Sequence, residues 1–290
     1  LISIFNHISD HKSWGYKSSS GKEVMVEFSS PNTNKPLHLG HMRNIFLGYS
    51  LSKILEANGY IVHKVQIIND RGIHICKSMV AWNLFGNNES PKSSGMKGDK
   101  FVGKFYVMFE NEHKKQVKKL VSNGINEEEA NASTDIMKMA KDVLLKWENK
   151  ENQTVALWKK MNGWVYEGFQ ITYDLIDVNF DKNYYESETY LLGKTQIMKG
   201  LKSKTFYKEK DNSVWVDLRE DGYDKKILLR SDGTSVYMTQ DIGTAIKRFE
   251  DFPKIIKQIY TVGSEQDYHF KILFKILEKL NYNWAKECFH

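Results

Sequence analysis

Two histidines three residues apart are the side chains of this sequence best placed to do chemistry. His38 and His41 flank Gly40 within residues 29–41, SSPNTNKPLHLGH, where an apolar strand gives way to an amphipathic helix. A helix N-terminus presents unpaired N–H groups and the positive end of the helix dipole, so it attracts phosphate. Residues i and i+3 share a helix face, so both imidazoles could reach one triphosphate. Gly40, which lacks a Cβ, would let a flat base approach the backbone. The segment predicts ATP binding.

The same pair of histidines is compatible with a metal site or with a purely structural role. A metal site needs further ligands nearby, and the sequence shows none at a recognisable spacing. The strand before the pair, the helix after it and the two prolines of the loop favour contact with a triphosphate.

Two further polar clusters follow apolar strands. They are Asn69–Gly72 (NDRG) and residues 262–269 (VGSEQDYH). Because ligands of open α/β sheets bind beyond the carboxyl ends of the strands, both clusters are placed to line a site. Gly263 would permit close approach of a nucleotide. The alternative for Asn69 and Asp70 is simple capping of the next helix.

Two segments carry side chains that suit a cation. In residues 231–241 (SDGTSVYMTQD), Tyr237 and Asp241 share a face if a helix has begun by Tyr237. The alternative is a core tyrosine and a capping aspartate. In residues 184–188 (YYESE), Glu186 lies among aromatic residues. A guanidinium prefers planar carboxylates and stacks on rings, although an ordinary surface segment would have the same composition.

Charge and cysteine content bound the class of protein. The net charge of +6 is compatible with a polyanionic partner. Its densest basic cluster, residues 114–119, is either a solvated helix face or a nucleic-acid surface. No apolar run is long enough to span a membrane, and the first residues lack the pattern of a signal peptide. Cys76 and Cys288 show neither metal-ligand nor disulfide spacing, which indicates a reducing, cytoplasmic location.

The elements that must position these residues follow from periodicity. We expect strands at 23–28 and 60–68 and helices at 40–58 and 73–84, an arrangement that favours a parallel sheet. Residues 86–104, rich in Gly, Ser, Asn and Lys, predict a loop or boundary. Beyond it the pattern predicts helices over 105–178, short antiparallel strands at 206–207, 214–216 and 227–229, a helix at 239–249, a strand at 255–262 and a helix at 270–280.

The simplest architecture is an α/β fold whose parallel sheet is split in sequence. We expect residues 1–91 to form the first half of a catalytic domain and residues 231–290 the second half. Residues 92–230 would form a helical and β connective insertion between them.

Taken in order, these motifs resemble the catalytic domain of the arginyl-tRNA synthetases, a class I family. HLGH at 38–41 resembles the class I "HIGH" signature, and SSPN at 29–32 with Lys35-Pro36 resembles its arginine-specific loop. NDRG at 69–72, GTSVY at 233–237 with Asp241, and residues 263–269 match in the same order. The resemblance covers about residue 22 to the end of the chain.

The resemblance implies a Rossmann-like (HUP-type) nucleotide-binding domain. It implies ATP-dependent activation of L-arginine to arginyl-adenylate and transfer to tRNA(Arg), the reaction of arginine–tRNA ligase (EC 6.1.1.19). ATP would enter with Mg²⁺ as a substrate complex, without a tightly bound metal. Partners would be tRNA(Arg), L-arginine and ATP, with neither membrane nor DNA involved.

It also implies roles for single residues. His38 and His41 would bind ATP and stabilise the pentavalent α-phosphate, and Lys35 would help neutralise the phosphates. The remaining ATP-binding residues would be Gly40, Gly263 and His269.

The arginine-binding residues would be five. Asn32 would contact the amino-acid end of the substrate. Glu186 and Asp241 would pair with the guanidinium, and Tyr237 and Gln266 would line the same pocket. Two carboxylates and a ring select arginine over lysine, because only the planar fork bonds both.

Family members carry additional N-terminal and C-terminal domains and a second, lysine-rich signature loop, which would be expected just beyond His290. We therefore expect a fragment that binds its ligands weakly and does not aminoacylate alone. Three alternatives remain: a small nucleotidyltransferase without a guanidinium pocket, a class I synthetase for another amino acid such as cysteine, and a non-enzymatic tRNA-binding module.

Overall fold

The computed structural model describes residues 1–10 and 14–290. Numbered in chain order, the strands of these residues are β1 Glu23–Glu27, β2 Ile61–Ile68, β3 Lys182–Tyr185, β4 Tyr207–Lys208, β5 Val214–Val216, β6 Lys226–Leu229, β7 Ile255–Tyr260 and β8 Cys288–Phe289. The α-helices are α1 Ile2–Asp10, α2 Leu39–Ala57, α3 Ile73–Phe85, α4 Pro91–Ser94, α5 Gly98–Ser122, α6 Glu127–Ser133, α7 Asp135–Glu148, α8 Asn152–Leu175, α9 Glu186–Thr189, α10 Leu192–Lys202, α11 Tyr237–Asp251 and α12 Asp267–Lys279.

The central sheet is parallel throughout, with the strand order β3-β2-β1-β7-β8. Its middle strand is covered on both faces, since Val24, Met25 and Val26 are each at most 1% exposed. Continuous apolar character is typical of such strands. Because β1 pairs with both β2 and β7, the loops that follow these three strands meet at one edge of the sheet. The predicted parallel α/β architecture is confirmed.

Most of the predicted elements occur within a few residues of their expected bounds. Helix α2 ends where Asn58-Gly59 predicts, and Gly59 adopts a left-handed φ of +85°. A Cβ there would lie 2.3 Å from the carbonyl oxygen of Ser18, so the position requires glycine on two grounds. The three short strands β4, β5 and β6 form the expected antiparallel meander.

The prediction of a loop over residues 86–104 is wrong at residues 91–94 and from residue 98 onward, both of which are helical. Helix α5 begins at Gly98 and runs through Gly103. These glycines serve close packing, because a Cβ on Gly98 would lie 1.7 Å from the carbonyl oxygen of Trp164 in α8, and one on Gly103 would lie 3.0 Å from Pro36. Small residues at a crossing are easily mistaken for loop residues in a single sequence.

The sheet takes one edge strand from the middle of the chain. Strand β3, from the segment predicted as an insertion, pairs in parallel with β2. Helices α5 and α8 of the same segment share a core with β1 and α3, built around Phe28, Phe105 and Phe169. The division at residues 91 and 230 stays a prediction.

A second core lies beneath α10, α11 and α12. Its centre contains Ile197, Leu228, Ile242 and Leu273, all at most 1% exposed. This core packs the antiparallel strands β5 and β6 against α11. Within the described part of the chain, no helix combines the length and apolar character needed to cross a bilayer.

Candidate active site

The loop after β1 begins with two serines in left-handed backbone conformation. Ser29 and Ser30 have φ values of +71° and +47°, a costly geometry for residues with a Cβ. Two hydrogen bonds hold it in place. The buried Ser29 hydroxyl lies 2.7 Å from the hydroxyl of Tyr173, and the partly buried Ser30 hydroxyl donates to Glu27 at 2.8 Å. These contacts hold the start of the loop in a defined conformation at the carboxyl end of β1.

The loop is joined to the NDRG segment after β2. Asn32 and Asn69 form a parallel bridge. The Asn69 N–H donates to the carbonyl of Pro31 at 2.9 Å, and the Thr33 N–H donates to the carbonyl of Asn69 at 3.2 Å. Two of the clusters singled out in the sequence therefore meet at the carboxyl ends of neighbouring strands.

His38 and His41 cap helix α2 together. His38 Nδ1 accepts from the Gly40 N–H, and His41 Nδ1 accepts from the His38 N–H, both at 3.2 Å. The ring centroids are 4.0 Å apart. A neutral imidazole that accepts at Nδ1 carries its proton on Nε2. The capping arrangement thus presents two Nε2–H donors beside the positive end of the helix dipole.

The pKa of His41 is lowered to about 4, first by burial and then by the nearby charges of His38 and Lys35. His41 is therefore neutral at pH 7 and suited to donate a hydrogen bond to an anion. A Cβ on Gly40 would lie 3.1 Å from the His38 ring. A larger residue would therefore crowd the His38 ring that caps the helix. This is a second reason for glycine here, besides the expected approach of a base.

Asp70 connects three elements at this edge. Its carboxylate accepts from the backbone N–H of Ser187 at 2.8 Å, from the Ser187 hydroxyl at 2.7 Å and from the Tyr166 hydroxyl at 2.8 Å. Its carbonyl accepts from Trp158 and Asn162 in α8. The side chain is 1% exposed, and burial raises the pKa of its carboxyl against the effect of these donors. Asp70 thereby fixes helix α9, which begins at Glu186.

Glu186 is a buried carboxyl, 8% exposed. Burial raises its pKa to about 7; Asp70 and Asp241 act in the same direction, and Arg71 and Gln240 oppose them. Arg71 Nη1 lies 3.9 Å from Glu186 Oε1. A carboxyl in this setting gains free energy from any cation that reaches it.

Asp241 lies one turn into α11 and contacts His269 of α12, with 2.6 Å between Asp241 Oδ2 and His269 Nε2. The structure thus joins two residues that the sequence assigned to different ligands, arginine for Asp241 and adenosine for His269. Tyr237, the first residue of α11, is 74% exposed.

Two of the remaining predicted residues, Gly263 and Gln266, follow strand β7 in the chain. Gln266 is exposed in the 3₁₀ turn Ser264–Gln266, after β7 and directly before α12. A Cβ on Gly263 would lie 2.4 Å from the Glu265 carboxylate. The proximity of Lys35 to the histidine pair is reflected in its effect on the pKa of His41. Over the described residues no group of three or more His, Cys, Asp or Glu side chains could hold a metal ion.

Sequence reasoning missed the partners that hold the site. These partners are distant in sequence from the residues they contact. Ser187 bonds Asp70 from 117 residues away, and Tyr166 bonds it from 96 residues away. Tyr173 bonds Gln66 of β2 from 107 residues away. No spacing rule links residues so distant. The one available signal was Asp70 itself, a carboxylate directly after a buried strand.

Solved structures with the same fold include arginyl-tRNA synthetases of two organisms. The Thermus thermophilus structure matches with a TM-score of 0.69 and 20% identity, over 95% of this chain and 49% of its own. The Plasmodium falciparum structure matches with a TM-score of 0.69 and 19% identity, over 94% of this chain and 43% of its own. At these identities the likeness shows the fold, and the Rossmann-like class is confirmed.

Curated relatives are closer in sequence. The arginine–tRNA ligase of Flavobacterium psychrophilum is 55% identical over all of this chain and 48% of its own length. That of Amoebophilus asiaticus is 52% identical, again over all of this chain and 48% of its own length. The chain spans about half the length of these relatives. The family described as "tRNA synthetases class I (R), catalytic domain" matches residues 3–290, so the chain belongs to the class I tRNA synthetase (R) catalytic-domain family.

Proposed function

We propose that this chain is the catalytic domain of an arginine–tRNA ligase. It would activate L-arginine with ATP and transfer the arginyl group to tRNA(Arg). The observation that carries the proposal is Glu186, a buried carboxyl with a second carboxylate, Asp241, close enough to raise its pKa. Such a pair suits a planar cation with several N–H donors. The names of the curated relatives support the same activity.

Adenylate formation needs positioning and charge stabilisation rather than a nucleophilic side chain. A carboxylate oxygen of arginine attacks the α-phosphorus of ATP; that P–O bond forms as the bond to the pyrophosphate leaving group breaks. In our proposal the Nε2–H groups of His38 and His41 donate to the phosphate oxygens that gain charge. Lys35 offsets the charge of the triphosphate, which enters with Mg²⁺. The base would lie along Gly40 and Gly263, with His269 near the adenosine.

Arginine would lie with its guanidinium between Glu186 and Asp241. Tyr237 and Gln266 would line this pocket, and Asn32 would contact the amino-acid end. His269 holds Asp241 by a hydrogen bond, so it would join the arginine and adenosine sides of the site. Lysine would bind poorly, because an ammonium bonds as a point charge and lacks the planar fork.

Ligand-induced shifts of the melting temperature test this proposal directly. We expect L-arginine and ATP to raise the melting temperature of the chain and lysine to leave it unchanged. The variant Glu186→Gln should lose the response to arginine and keep the response to ATP. The matched control is Glu167→Gln on the exposed side of α8, which should retain both. Equal responses to arginine and lysine would argue against the proposal.

Catalysis is tested by arginine-dependent exchange of pyrophosphate into ATP, with and without tRNA(Arg). Because the chain spans about half of its relatives, we expect exchange to be weak. Robust exchange by the 290-residue chain would contradict that expectation and support the assignment of the activity. A response to RNA alone, with none to arginine or ATP, would favour a tRNA-binding module.

A further inference from the structure

A guanidinium belonging to the chain itself lies beside the predicted arginine pocket. Arg71, directly after Asp70, places its Nη1 3.9 Å from Glu186 Oε1 and its Nη2 3.0 Å from Glu148 Oε1. Its Cζ lies 4.0 Å from the ring centroid of Tyr190 and 5.4 Å from that of Trp147. The roles proposed above make no use of this side chain.

The two carboxylates that Arg71 contacts differ in their exposure to solvent. The Glu148 side chain is 45% exposed, whereas those of Arg71 and Glu186 are each 11% exposed. Water screens the closer pair strongly and the more distant pair weakly, because the effective dielectric constant falls with burial. The influence of Arg71 on Glu186 is therefore large despite the longer distance.

Two of the charged groups that act most strongly on Glu186 are themselves carboxylates. Asp70 reaches it from the loop after β2 and Asp241 from α11, and both are carboxylates. Arg71 is the cation among these neighbours, and it also pairs with Glu148 of α7. Gln240 contributes a side-chain hydrogen bond. Without Arg71, the carboxyl of Glu186 would face two like charges in a buried setting.

We propose that Arg71 is a fixed counter-ion that favours the ionised form of Glu186 and holds it oriented to receive a guanidinium ligand. Arg71 is then a positioning residue for recognition of the substrate arginine, and this inference rests on the proposed function. Arginine suits the role better than lysine. Its planar guanidinium stacks on Tyr190, while Nη2 reaches Glu148 on α7 and Nη1 faces Glu186 on α9. The contact with Glu148 prevents Arg71 from closing fully onto Glu186, which leaves carboxylate oxygen available to a second guanidinium.

The first test needs no ligand. Carboxyl ¹³C chemical shifts of the chain, titrated with pH and assigned with Glu186→Gln, give the titration midpoint of Glu186. We expect Arg71→Gln to raise that midpoint by about one pH unit, the effect of losing a stabilising charge. The matched control is Arg219→Gln, a 66% exposed arginine paired with Asp217 outside the site, which should leave the midpoint unchanged. An unchanged midpoint in Arg71→Gln would overturn the inference.

The second test is the pH dependence of L-arginine affinity, measured calorimetrically. If the midpoint of Glu186 rises by about one unit, Arg71→Gln should weaken binding about fivefold at pH 7 and less than about twofold at pH 8.5, since Glu186 is then ionised in both proteins. A purely structural role predicts the same loss at both values, and that result would refute the counter-ion. If the chain binds no arginine at any pH while the ¹³C result holds, the proposed function fails and the counter-ion role stands.

A second variant covers the case in which Arg71→Gln does not fold. Glu148→Gln keeps Arg71 and removes the charge of Glu148, the nearer of its two carboxylate partners. Glu148 is partly exposed to solvent, so the substitution should be tolerated. Arg71 is then free to move toward Glu186, so the midpoint of Glu186 should fall. A midpoint that rises or stays constant would contradict the inference.

Discussion

At the scale of single residues, two groups in this site have pKa values far from their usual ones. His41 is neutral well below the pH at which a free imidazole takes up a proton, and Glu186 retains its proton up to about pH 7. In both cases burial is the first cause, because it disfavours the charged form. Such shifts mark candidate functional positions when the groups also meet a site geometry. Their consequences for stability have opposite signs.

His41 should make the folded protein sensitive to acid. The unfolded chain takes up this proton near pH 6.5 and the folded chain near pH 4, so the unfolded state binds more protons between these values. Stability therefore falls as the pH is lowered through this window. His41→Gln, which retains a capping acceptor at the third helical position, should remove about 2 kcal/mol of the difference between pH 7 and pH 4. Urea unfolding at both values checks this, and an unchanged difference would contradict it.

Glu186 should act in the other direction. Its pKa is raised from 4.5 to about 7, so the folded state binds more protons than the unfolded state and stability falls as the pH rises from about 4.5 to 7. Glu186→Gln should then be more stable than the original protein at pH 8, by about 2 kcal/mol, and equally stable at pH 4. Glu167→Gln provides the matched comparison in urea unfolding. A destabilised Glu186→Gln at pH 8 would show that the contact with Arg71 outweighs burial.

At the scale of elements, the strands and helices that carry local signals were predictable, and those fixed by distant contacts were not. The apolar runs of β1 and β2 and the Asn58-Gly59 stop gave bounds close to those observed. Strand β3 is four residues long and pairs with β2 across more than 100 residues, so nothing local distinguishes it. The motifs of the site were visible, yet the Asp241–His269 contact and the Arg71 stack arise only when separate elements pack.

Asp70 illustrates how one buried side chain positions an element. Asp70→Asn would replace one acceptor oxygen with an NH₂ group facing donors from Ser187 and Tyr166, so at least one buried donor would lose its partner. We expect a loss of about 2–3 kcal/mol in unfolding free energy, with faster amide hydrogen exchange in α9. The control Asp142→Asn, 55% exposed on α7, should change stability by less than about 0.5 kcal/mol. Unaltered exchange in α9 would argue against this role.

At the scale of the whole molecule, one buried ion pair connects the two halves of the site. Arg248 of α11 and Glu27 at the end of β1 are 2% and 5% exposed, and their charged groups are 2.5 Å apart. The other oxygen of Glu27 accepts from Ser30 in the histidine loop. A continuous set of contacts thus runs from the loop that carries His38, through the sheet, to the helix that carries Asp241.

Breaking this pair should cost far more than breaking a surface pair. Arg248→Met leaves the Glu27 charge buried and uncompensated, which should lower the free energy of unfolding by about 3–5 kcal/mol. Lys146→Met, which removes a 53% exposed lysine from its pair with Asp142, should leave the free energy of unfolding almost unchanged. Urea unfolding that gives similar losses for both variants would contradict the proposed connection.

The double variant Glu27→Leu with Arg248→Met separates stability from positioning. Replacing both charges with apolar side chains should restore most of the lost stability, because no buried charge remains unpaired. It also removes the acceptor of the Ser30 hydroxyl, so the left-handed turn at Ser29 and Ser30 loses one of its restraints. We therefore expect the double variant to be folded and stable. Its melting temperature should rise less on addition of ATP than that of the unsubstituted chain. A full ATP response in the double variant would show that the pair stabilises the fold and leaves the histidine loop unaffected.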